Sequence, residues 1–229
     1  MKTTFELENF LKWTAKTNRK HWSDELFNSY PRGGIIALDS GTTTICLAEA
    51  LLRQDTIRPL TVVTHVLNVA TILMQDSAIQ VIMTGGDLRA PTASLVGPGA
   101  RRFYEEIQVP VAFLAATGIT QDGLTTSDFA EAEIKRTMIA HAHTVYILAD
   151  SRTFGYRAMV PFASLSAVSA VITDIEVPVK WVRQLAADGV AVYTDQAPTP
   201  VQSSDDFSSS MHMSNWADFA DTVDAVYKR

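Results

Sequence analysis

The chain has 229 residues, of which 47% are hydrophobic and 19% charged, and a formal net charge of -6 at pH 7. This composition predicts a globular protein with one large or two small domains and argues against direct nucleic-acid binding, which depends on Lys and Arg. No apolar run is long enough to span a bilayer and the N-terminal sequence lacks a signal-peptide core, so we expect a cytoplasmic protein. The single cysteine, Cys46, excludes an internal disulfide and suits a reducing compartment. His141 and His143 lack further ligands nearby in the sequence, so no metal ion and no cofactor are predicted.

Short apolar runs alternate along the chain with segments of helical periodicity. This order predicts βαβ units and a parallel sheet, and the apolar strands indicate that helices cover both of its faces. The predicted strands are Ile35–Leu38, Leu60–Val63, Ile79–Met83, Val111–Ala115, Val145–Ala149, Ala170–Ile172 and Val190–Tyr193. The predicted helices are Thr43–Leu52, Val66–Met74, Gly99–Glu106, Ala130–His141 and Val179–Ala187.

The two ends of the chain differ from this pattern. Residues 1–34 are predicted to hold one or two helical pieces, 35–196 the α/β domain, and the Pro- and Ser-rich residues 197–215 a flexible linker. In residues 216–229, apolar side chains recur at helical spacing with aspartates on the other side. This predicts an amphipathic helix that docks on the core, with packing on a neighbouring subunit as the alternative.

Small and polar residues follow the predicted strands. Ligands of open parallel sheets bind outside the carboxyl ends of the strands, so such residues are what a binding edge requires. Polar loops and helix caps are the alternative explanation for any one of them. Several carboxylates and glycine-containing turns on one edge favour the binding site. The residues concerned are Asp39, Thr64, Thr84–Gly86, Thr117–Gly118, Asp150, Asp174 and Thr194.

The stretch IALDSGTTT, Ile36–Thr44, places a glycine and several hydroxyls directly after an apolar strand. The first turn of the following helix has free backbone N–H groups and a positive dipole end, which together can hold a phosphate or carboxylate without a lysine. The equally weighted alternative is that Ser40 or Thr42 only caps the helix. Asp39 would repel an anion, so we expect it to bind ligand hydroxyls or loop amides beside the phosphate.

Two further stretches contain candidate ligand-binding residues. TGGDLR, Thr84–Arg89, follows a strand with paired glycines that indicate either room for a ligand or a simple turn. Gly118 and Gly123 bracket a loop that leads into a helix carrying Glu131 and Lys135. These two side chains are one turn apart. Either they form a surface ion pair, or one of them points into the binding crevice.

Seven motifs occur together in the order found in DeoR-type bacterial transcriptional regulators, the deoxyribonucleoside-operon repressor family. They are LDSGTTT, LTVVTHVLNVA, TGGDLR, SLVGPGA, AFLAATGITQDGLTT, EAEIKRTMIAHA and ILADSRTFG. Over roughly residues 20–175 the chain therefore resembles the C-terminal effector-sensing domain of these regulators. The resemblance implies an α/β fold with a doubly wound, mainly parallel sheet in three layers, α/β/α, related to ribose-5-phosphate isomerase. It also implies that the effector is a phosphorylated sugar or polyol.

The resemblance assigns two groups of binding residues. The effector phosphate is expected on the turn Ser40, Gly41, Thr42, Thr43 and Thr44. The contacts to the sugar are expected from Asp39, Thr64, His65, Gly85, Gly86, Gly118, Gly123, Glu131, Lys135, Asp150 and Arg152.

The sequence also departs from the family pattern. About thirty residues precede the first strand and show no winged helix-turn-helix, so the chain is not expected to bind DNA unaided. Thr153 stands where the family commonly has a lysine, with Arg152 as a compensating cation, and His65 stands where asparagine is frequent.

Three functions are compatible with these features. We favour a sensor that binds the effector and passes the binding energy to the geometry of a homo-oligomer. The second is a sugar-phosphate isomerase or deaminase, with Asp39, Glu131 or Asp150 as base and Lys135 or Arg152 as electrophile. The third is a structural partner that forms mixed oligomers with full-length relatives and needs no ligand.

Overall fold

A seven-stranded parallel β-sheet forms the centre of the fold in this computed structural model, which describes residues 34–53 and 58–194. Two smaller sheets, one of three and one of two antiparallel strands, accompany it in the described part of the chain. In chain order the strands are β1 (Ile35–Leu38), β2 (Leu60–Thr64), β3 (Ile79–Met83), β4 (Asp87–Arg89), β5 (Ser94–Val96), β6 (Val109–Ala115), β7 (Gly118–Thr120), β8 (Gly123–Thr126), β9 (Ala142–Leu148), β10 (Val160–Ala163), β11 (Ala170–Ile172) and β12 (Ala191–Tyr193).

The main sheet has the strand order β12–β11–β9–β6–β1–β2–β3. From β1 the chain moves outward through β2 to β3, and it then returns to β6 on the other side of β1 before continuing to β12. The winding therefore reverses between β1 and β6, where Leu38 is in register with Phe113. Doubly wound sheets bind their ligands at this switch point, outside the carboxyl ends of the strands.

Helices cover both faces of the main sheet. Within the described residues these are α1 (Thr42–Leu51), α2 (Leu67–Leu73), α3 (Gly97–Glu105), α4 (Phe129–Ala140) and α5 (Val179–Ala187). Ile36 and Leu38 of β1 belong to the buried cluster that includes α1 and α2, whereas Ala37 belongs to the cluster that includes α3, α4 and α5. Because neighbouring residues of one strand enter different cores, the sheet is buried on both sides. The predicted doubly wound, three-layer α/β/α fold is confirmed.

The small sheets were not predicted from the sequence. β7, β8 and β10 form an antiparallel sheet in the order β10–β8–β7, and β4 pairs with β5 as a separate hairpin. The sequence analysis placed a loop between Gly118 and Gly123, where the structure has the β7–β8 hairpin. These strands are held by packing rather than by their own propensity, since Ile119 and Leu124 are fully buried in the core that contains α4.

All the predicted strands and helices of the α/β domain are present. Four of them, Ile35–Leu38, Ile79–Met83, Ala170–Ile172 and Val179–Ala187, have the predicted bounds. The predicted segments within residues 1–33 and 197–229 lie outside the described residues, so the proposed division into domains stays a prediction. Among the described helices, none combines the length and the apolar character that crossing a membrane would require.

Candidate functional site

The N-terminus of α1 lies at the switch point, because the helix begins at Thr42 just after β1 ends at Leu38. No side chain caps this helix end, and the Thr44 hydroxyl instead donates to the carbonyl oxygen of Gly41 at 2.8 Å. The backbone N–H groups of Thr42, Thr43 and Thr44 therefore have no partner within the helix, and the helix dipole makes this end positive. Such an end is suited to hold an anion.

The turn before α1 passes very close to the end of β6. Gly41 has a φ of 151°, and a Cβ atom at this position would lie 2.6 Å from the Cβ of Ala115. Glycine is therefore required for the two strand ends to approach each other. Ser40 is buried in the same turn, and its Oγ lies 3.5 Å from Oδ1 of Asp39.

A buried ion pair lies directly beside this turn. Lys135 of α4 donates to Oδ2 of Asp39 and, at 2.9 Å, to the carbonyl oxygen of Ala115. Oδ2 of Asp39 also accepts a hydrogen bond of 3.0 Å from the backbone N–H of Ala115. The two side chains are only 1% and 3% exposed, so the carboxylate is neutralised where the sequence analysis expected it to repel an anion. The pair also ties α4 to the switch point.

His65 completes this buried network on the β2 side. Its Nδ1 lies 3.2 Å from the hydroxyl of Tyr104, and its Nε2 faces Oδ1 of Asp39 at 3.5 Å without the geometry of a hydrogen bond. Burial lowers the pKa of His65 from 6.5 to about 4, so the ring is neutral at physiological pH. Burial, reinforced by the charge of Asp39, raises the pKa of Tyr104, which keeps its proton. A neutral ring that accepts from Tyr104 at Nδ1 carries its hydrogen on Nε2, which makes no hydrogen bond with the described residues.

A second group of charges lies at the first turn of α4. Arg89, at the end of β4, is 3.2 Å from Asp128, 3.4 Å from Glu131 and 3.0 Å from the hydroxyl of Thr92. Asp128 caps α4 by accepting from the backbone N–H groups of Ala130 and Glu131 at 2.9 and 3.1 Å. Burial would raise the pKa of Asp128, but these hydrogen bonds and the charge of Arg89 outweigh it and leave the pKa below its ordinary value.

Glu131 and Lys135 thus do not form a surface ion pair with each other, which was one of the two alternatives left open by the sequence. Both are buried, at 7% and 2% exposure, and each has a separate partner, Arg89 for Glu131 and Asp39 for Lys135. Their common face of α4 is turned toward the strand ends. The other alternative, that one of the two side chains points into the binding crevice, stays a prediction.

Thr64, Gly85 and Gly86 lie on loops that follow β2 and β3. The Thr64 hydroxyl donates to the carbonyl oxygen of Leu38 at 2.8 Å and accepts from the backbone N–H of Val66 at 3.1 Å, so it holds two strand ends together. A Cβ on Gly86 would lie 2.6 Å from the carbonyl oxygen of Val96, which gives this glycine a packing role. Gly85, in contrast, is exposed and faces open space.

Gly118 and Gly123 lie in the β7–β8 hairpin. A Cβ on Gly118 would collide with the carbonyl oxygen of Tyr156, and one on Gly123 with that of Ala163. Both positions therefore require glycine for packing between strands. Whether their backbones also contact a ligand stays a prediction.

Asp150 and Arg152 form a separate group at the end of β9. Asp150 accepts from the backbone N–H of Arg152 at 2.9 Å, and the two side chains pair at 2.7 Å. Thr153, which replaces the lysine common in the family, donates to Asp150 at 3.4 Å. The contacts of Asp150 go to its own turn, whereas Asp39, His65 and Lys135 contact one another directly.

Similarity to known proteins identifies the family. Residues 25–175 match the family described as the DeoR C-terminal sensor domain. The chain belongs to this family. The glycerol-3-phosphate regulon repressor of Escherichia coli is 33% identical to this sensor domain over 175 residues, which cover 76% of this chain and 68% of that protein. The HTH-type transcriptional regulator GlpR of Haloferax volcanii is 31% identical over 171 residues, covering 74% and 66% of the two chains. Among solved structures, ribose 5-phosphate isomerase A of Methanocaldococcus jannaschii aligns with 57% of this chain and 53% of its own, at 12% identity and a TM-score of 0.35, which is too distant to bear on function.

Three residues of these two charged groups in the sensor domain were missed by the sequence analysis: Arg89, Asp128 and Tyr104. Arg89 was quoted within TGGDLR, but nothing local to that motif indicated that it would reach α4. Tyr104 lies within a predicted helix as one of several apolar residues, and its hydroxyl gave no signal. Within residues 34–53 and 58–194, no three His, Cys, Asp or Glu side chains converge on a position for a metal ion.

The carboxylates considered as general bases are all engaged within the sensor domain. Asp39 is paired with Lys135, and Asp150 with Arg152. Glu131 is paired through Oε1, and its Oε2 has no hydrogen-bond partner among the described residues. A group of paired charges beside the uncapped N-terminus of α1 is suited to bind a ligand and to hold it in one orientation. The two curated relatives are by name a repressor and a regulator.

Proposed function

We propose that this chain is the effector-binding domain of a DeoR-type transcriptional regulator and that its effector is a phosphorylated sugar or polyol. The effector phosphate binds to the backbone N–H groups of Thr42, Thr43 and Thr44. Binding then changes the affinity of the whole regulator for DNA and so controls genes of sugar or polyol metabolism.

The uncapped N-terminus of α1 is the observation that carries this proposal. The helix has 10 residues and contains no acidic side chain in its first turn and no side-chain cap. It opens at the switch point of a doubly wound sheet, where ligands of such folds bind. The nearest carboxylate, Asp39, is neutralised by Lys135, so an anion meets no net repulsion from it.

The unpartnered Nε2 of His65 supports the same position. This atom is fully buried, has no hydrogen-bond partner among the described residues and faces Asp39, next to the turn that holds the phosphate. A buried donor without a partner costs about 1–3 kcal/mol of stability. Such donors are therefore uncommon in folded proteins and indicate a functional position.

Glycerol 3-phosphate is the first effector to test, because the repressor from E. coli that this chain resembles is named for the glycerol-3-phosphate regulon. Isothermal titration calorimetry of the full chain would compare glycerol 3-phosphate, ribose 5-phosphate and fructose 6-phosphate, with glycerol as the control without phosphate. We expect at least one phosphate ester to bind and glycerol not to bind. Absence of binding by all three esters to folded protein would refute the proposal.

The Thr43→Glu variant tests the position of the phosphate. A carboxylate in the first turn competes with the anion while favouring the helix itself, so the variant should fold and lose affinity by about tenfold or more. Thr43→Gln is the matched control, since it adds the same volume without the charge, and it should bind more tightly than Thr43→Glu. Equal affinities of the two variants would contradict the assignment.

Sensing also requires that the effector bind differently to two states of the protein, and we propose that these are two geometries of a homo-oligomer. Light scattering coupled to size exclusion, with and without the bound ester, would test this. A monomer under both conditions would refute the oligomer.

A further inference from the structure

The charges around the anion site do not balance. Within the part of the chain that the structure describes, three carboxylates, those of Asp39, Asp128 and Glu131, are joined by direct contacts to two cations, Lys135 and Arg89. His65 adds no charge, because burial lowers its pKa to about 4. Asp39 and Lys135 neutralise each other. The excess negative charge therefore lies at the first turn of α4, where the guanidinium of Arg89 pairs with the carboxylates of both Asp128 and Glu131.

Glu131 is the member of this group that remains available to a ligand. Its side chain is 9% exposed, and only Oε1 has a partner, Arg89 at 3.4 Å. Oε2 has no hydrogen-bond partner among the described residues and is not one of the fully enclosed polar atoms, so it is accessible to solvent. A carboxylate oxygen in this state accepts a hydroxyl hydrogen strongly and repels an anion.

The position of Glu131 relative to the phosphate follows from α4. Glu131 and Lys135 are four residues apart on one helix and lie on the same face, which separates their Cβ atoms by about 6 Å. The ammonium of Lys135 contacts Asp39 and the end of β6, beside the turn that precedes α1. Glu131 therefore lies one helical turn before Lys135, on the face of α4 from which Lys135 reaches the turn that precedes α1.

We propose that Glu131 makes this site selective for phosphate monoesters whose remaining polar groups are neutral hydroxyls. Glu131 accepts a hydrogen bond from a hydroxyl of the ligand, and it rejects ligands that carry a second phosphate or a carboxylate. Arg89 is a positioning residue in this scheme, because it holds Oε1 and leaves Oε2 free. This inference rests on the proposed function, since it describes the same ligand.

Two matched pairs of probes test the inference by calorimetry on the full chain. sn-Glycerol 3-phosphate and L-glycerate 3-phosphate differ only in the replacement of a CH2OH group by a carboxylate, and fructose 6-phosphate and fructose 1,6-bisphosphate differ by one phosphate. In the pair whose monoester binds, we expect the monoester to bind at least about tenfold more tightly than its doubly charged partner. Equal affinities, or preference for the doubly charged compound, would overturn the inference.

The Glu131→Gln variant separates Glu131 from other sources of selectivity. Gln keeps an oxygen that can accept from Arg89, so circular dichroism should show the fold intact, and the ratio of the two affinities should fall toward unity. Glu133→Gln is the matched control, because Glu133 lies on the same helix, is 43% exposed and pairs with Arg101 at 2.7 Å. The control should keep the wild-type ratio. An unchanged ratio in Glu131→Gln would refute the role of Glu131 even if every phosphate ester binds, whereas failure of both monoesters and ribose 5-phosphate to bind the wild type would refute the proposed function itself.

Discussion

Lys135→Met tests the buried ion pair on which the site depends. The variant leaves Asp39 fully buried with the backbone N–H of Ala115 at 3.0 Å and the Ser40 hydroxyl at 3.5 Å as donors, while the methionine still fills most of the lysine's volume. Removing one partner of a buried pair costs about 3–5 kcal/mol, and the remaining donors and the conserved volume place the expected loss near the lower bound, about 3 kcal/mol. Urea denaturation, followed by circular dichroism, measures this loss. Lys180→Met is the control, because Lys180 is an exposed lysine whose removal should change stability by less than about 0.5 kcal/mol.

Adding Asp39→Asn to the Lys135→Met variant separates the charge from the packing. Because Asn carries no charge, the double variant should be more stable than Lys135→Met alone by about 1 kcal/mol or more. Two results would refute the reasoning. One is a loss of stability below about 1 kcal/mol in Lys135→Met. The other is a double variant whose loss of stability equals the sum of the losses in Lys135→Met alone and in Asp39→Asn alone.

Three further predictions concern residues around the pair. The pKa of His65 is about 4 in the fold and 6.5 when unfolded, so the unfolded state binds the proton first as the pH falls. Urea denaturation should therefore show a free energy of unfolding about 2 kcal/mol lower near pH 5 than near pH 7.5, and the His65→Asn variant should lack this pH-dependent loss. Thr64→Val leaves the carbonyl oxygen of Leu38 without its buried donor, which should cost about 1–3 kcal/mol in the same assay, and an unchanged midpoint would contradict it. Gly41→Ala places a Cβ 2.6 Å from that of Ala115 and strains a φ of 151°, so it should lose stability by about 1–3 kcal/mol and also lose phosphate-ester binding, whereas tight binding by this variant would be inconsistent with the close approach.

The main sheet could be predicted because its strands carry a local signal. Segments such as Ile79–Met83 are continuous apolar runs between turn residues, which is typical of parallel strands covered on both faces. The β7–β8 hairpin has no comparable signal. Gly118–Thr120 is three residues long, and its close approach to Tyr156 and the bridge from Ile119 to Phe154 join it to residues that are distant in sequence.

The candidate site was only partly accessible to sequence reasoning. The turn after β1 was recognised because its hydroxyls and glycine are adjacent in sequence. The partners of Glu131 and Lys135 were not, since local helix rules pair these two side chains with each other. The Lys135–Asp39 contact joins residues 96 positions apart and exists because the order β6–β1 brings α4 over the end of β1. Arg89, at the end of β4, likewise reaches Glu131 across 42 positions.

The central claim is that the first-turn amides of α1 hold the phosphate of the effector. The most direct test is an NMR titration that follows the backbone amide resonances of Thr42, Thr43 and Thr44 as the phosphate ester found by calorimetry is added to the full chain. We expect these three resonances to shift and to saturate at the ligand concentration that calorimetry predicts. If the ester binds and other amides respond while these three stay at their free positions, the phosphate binds elsewhere and the account is wrong.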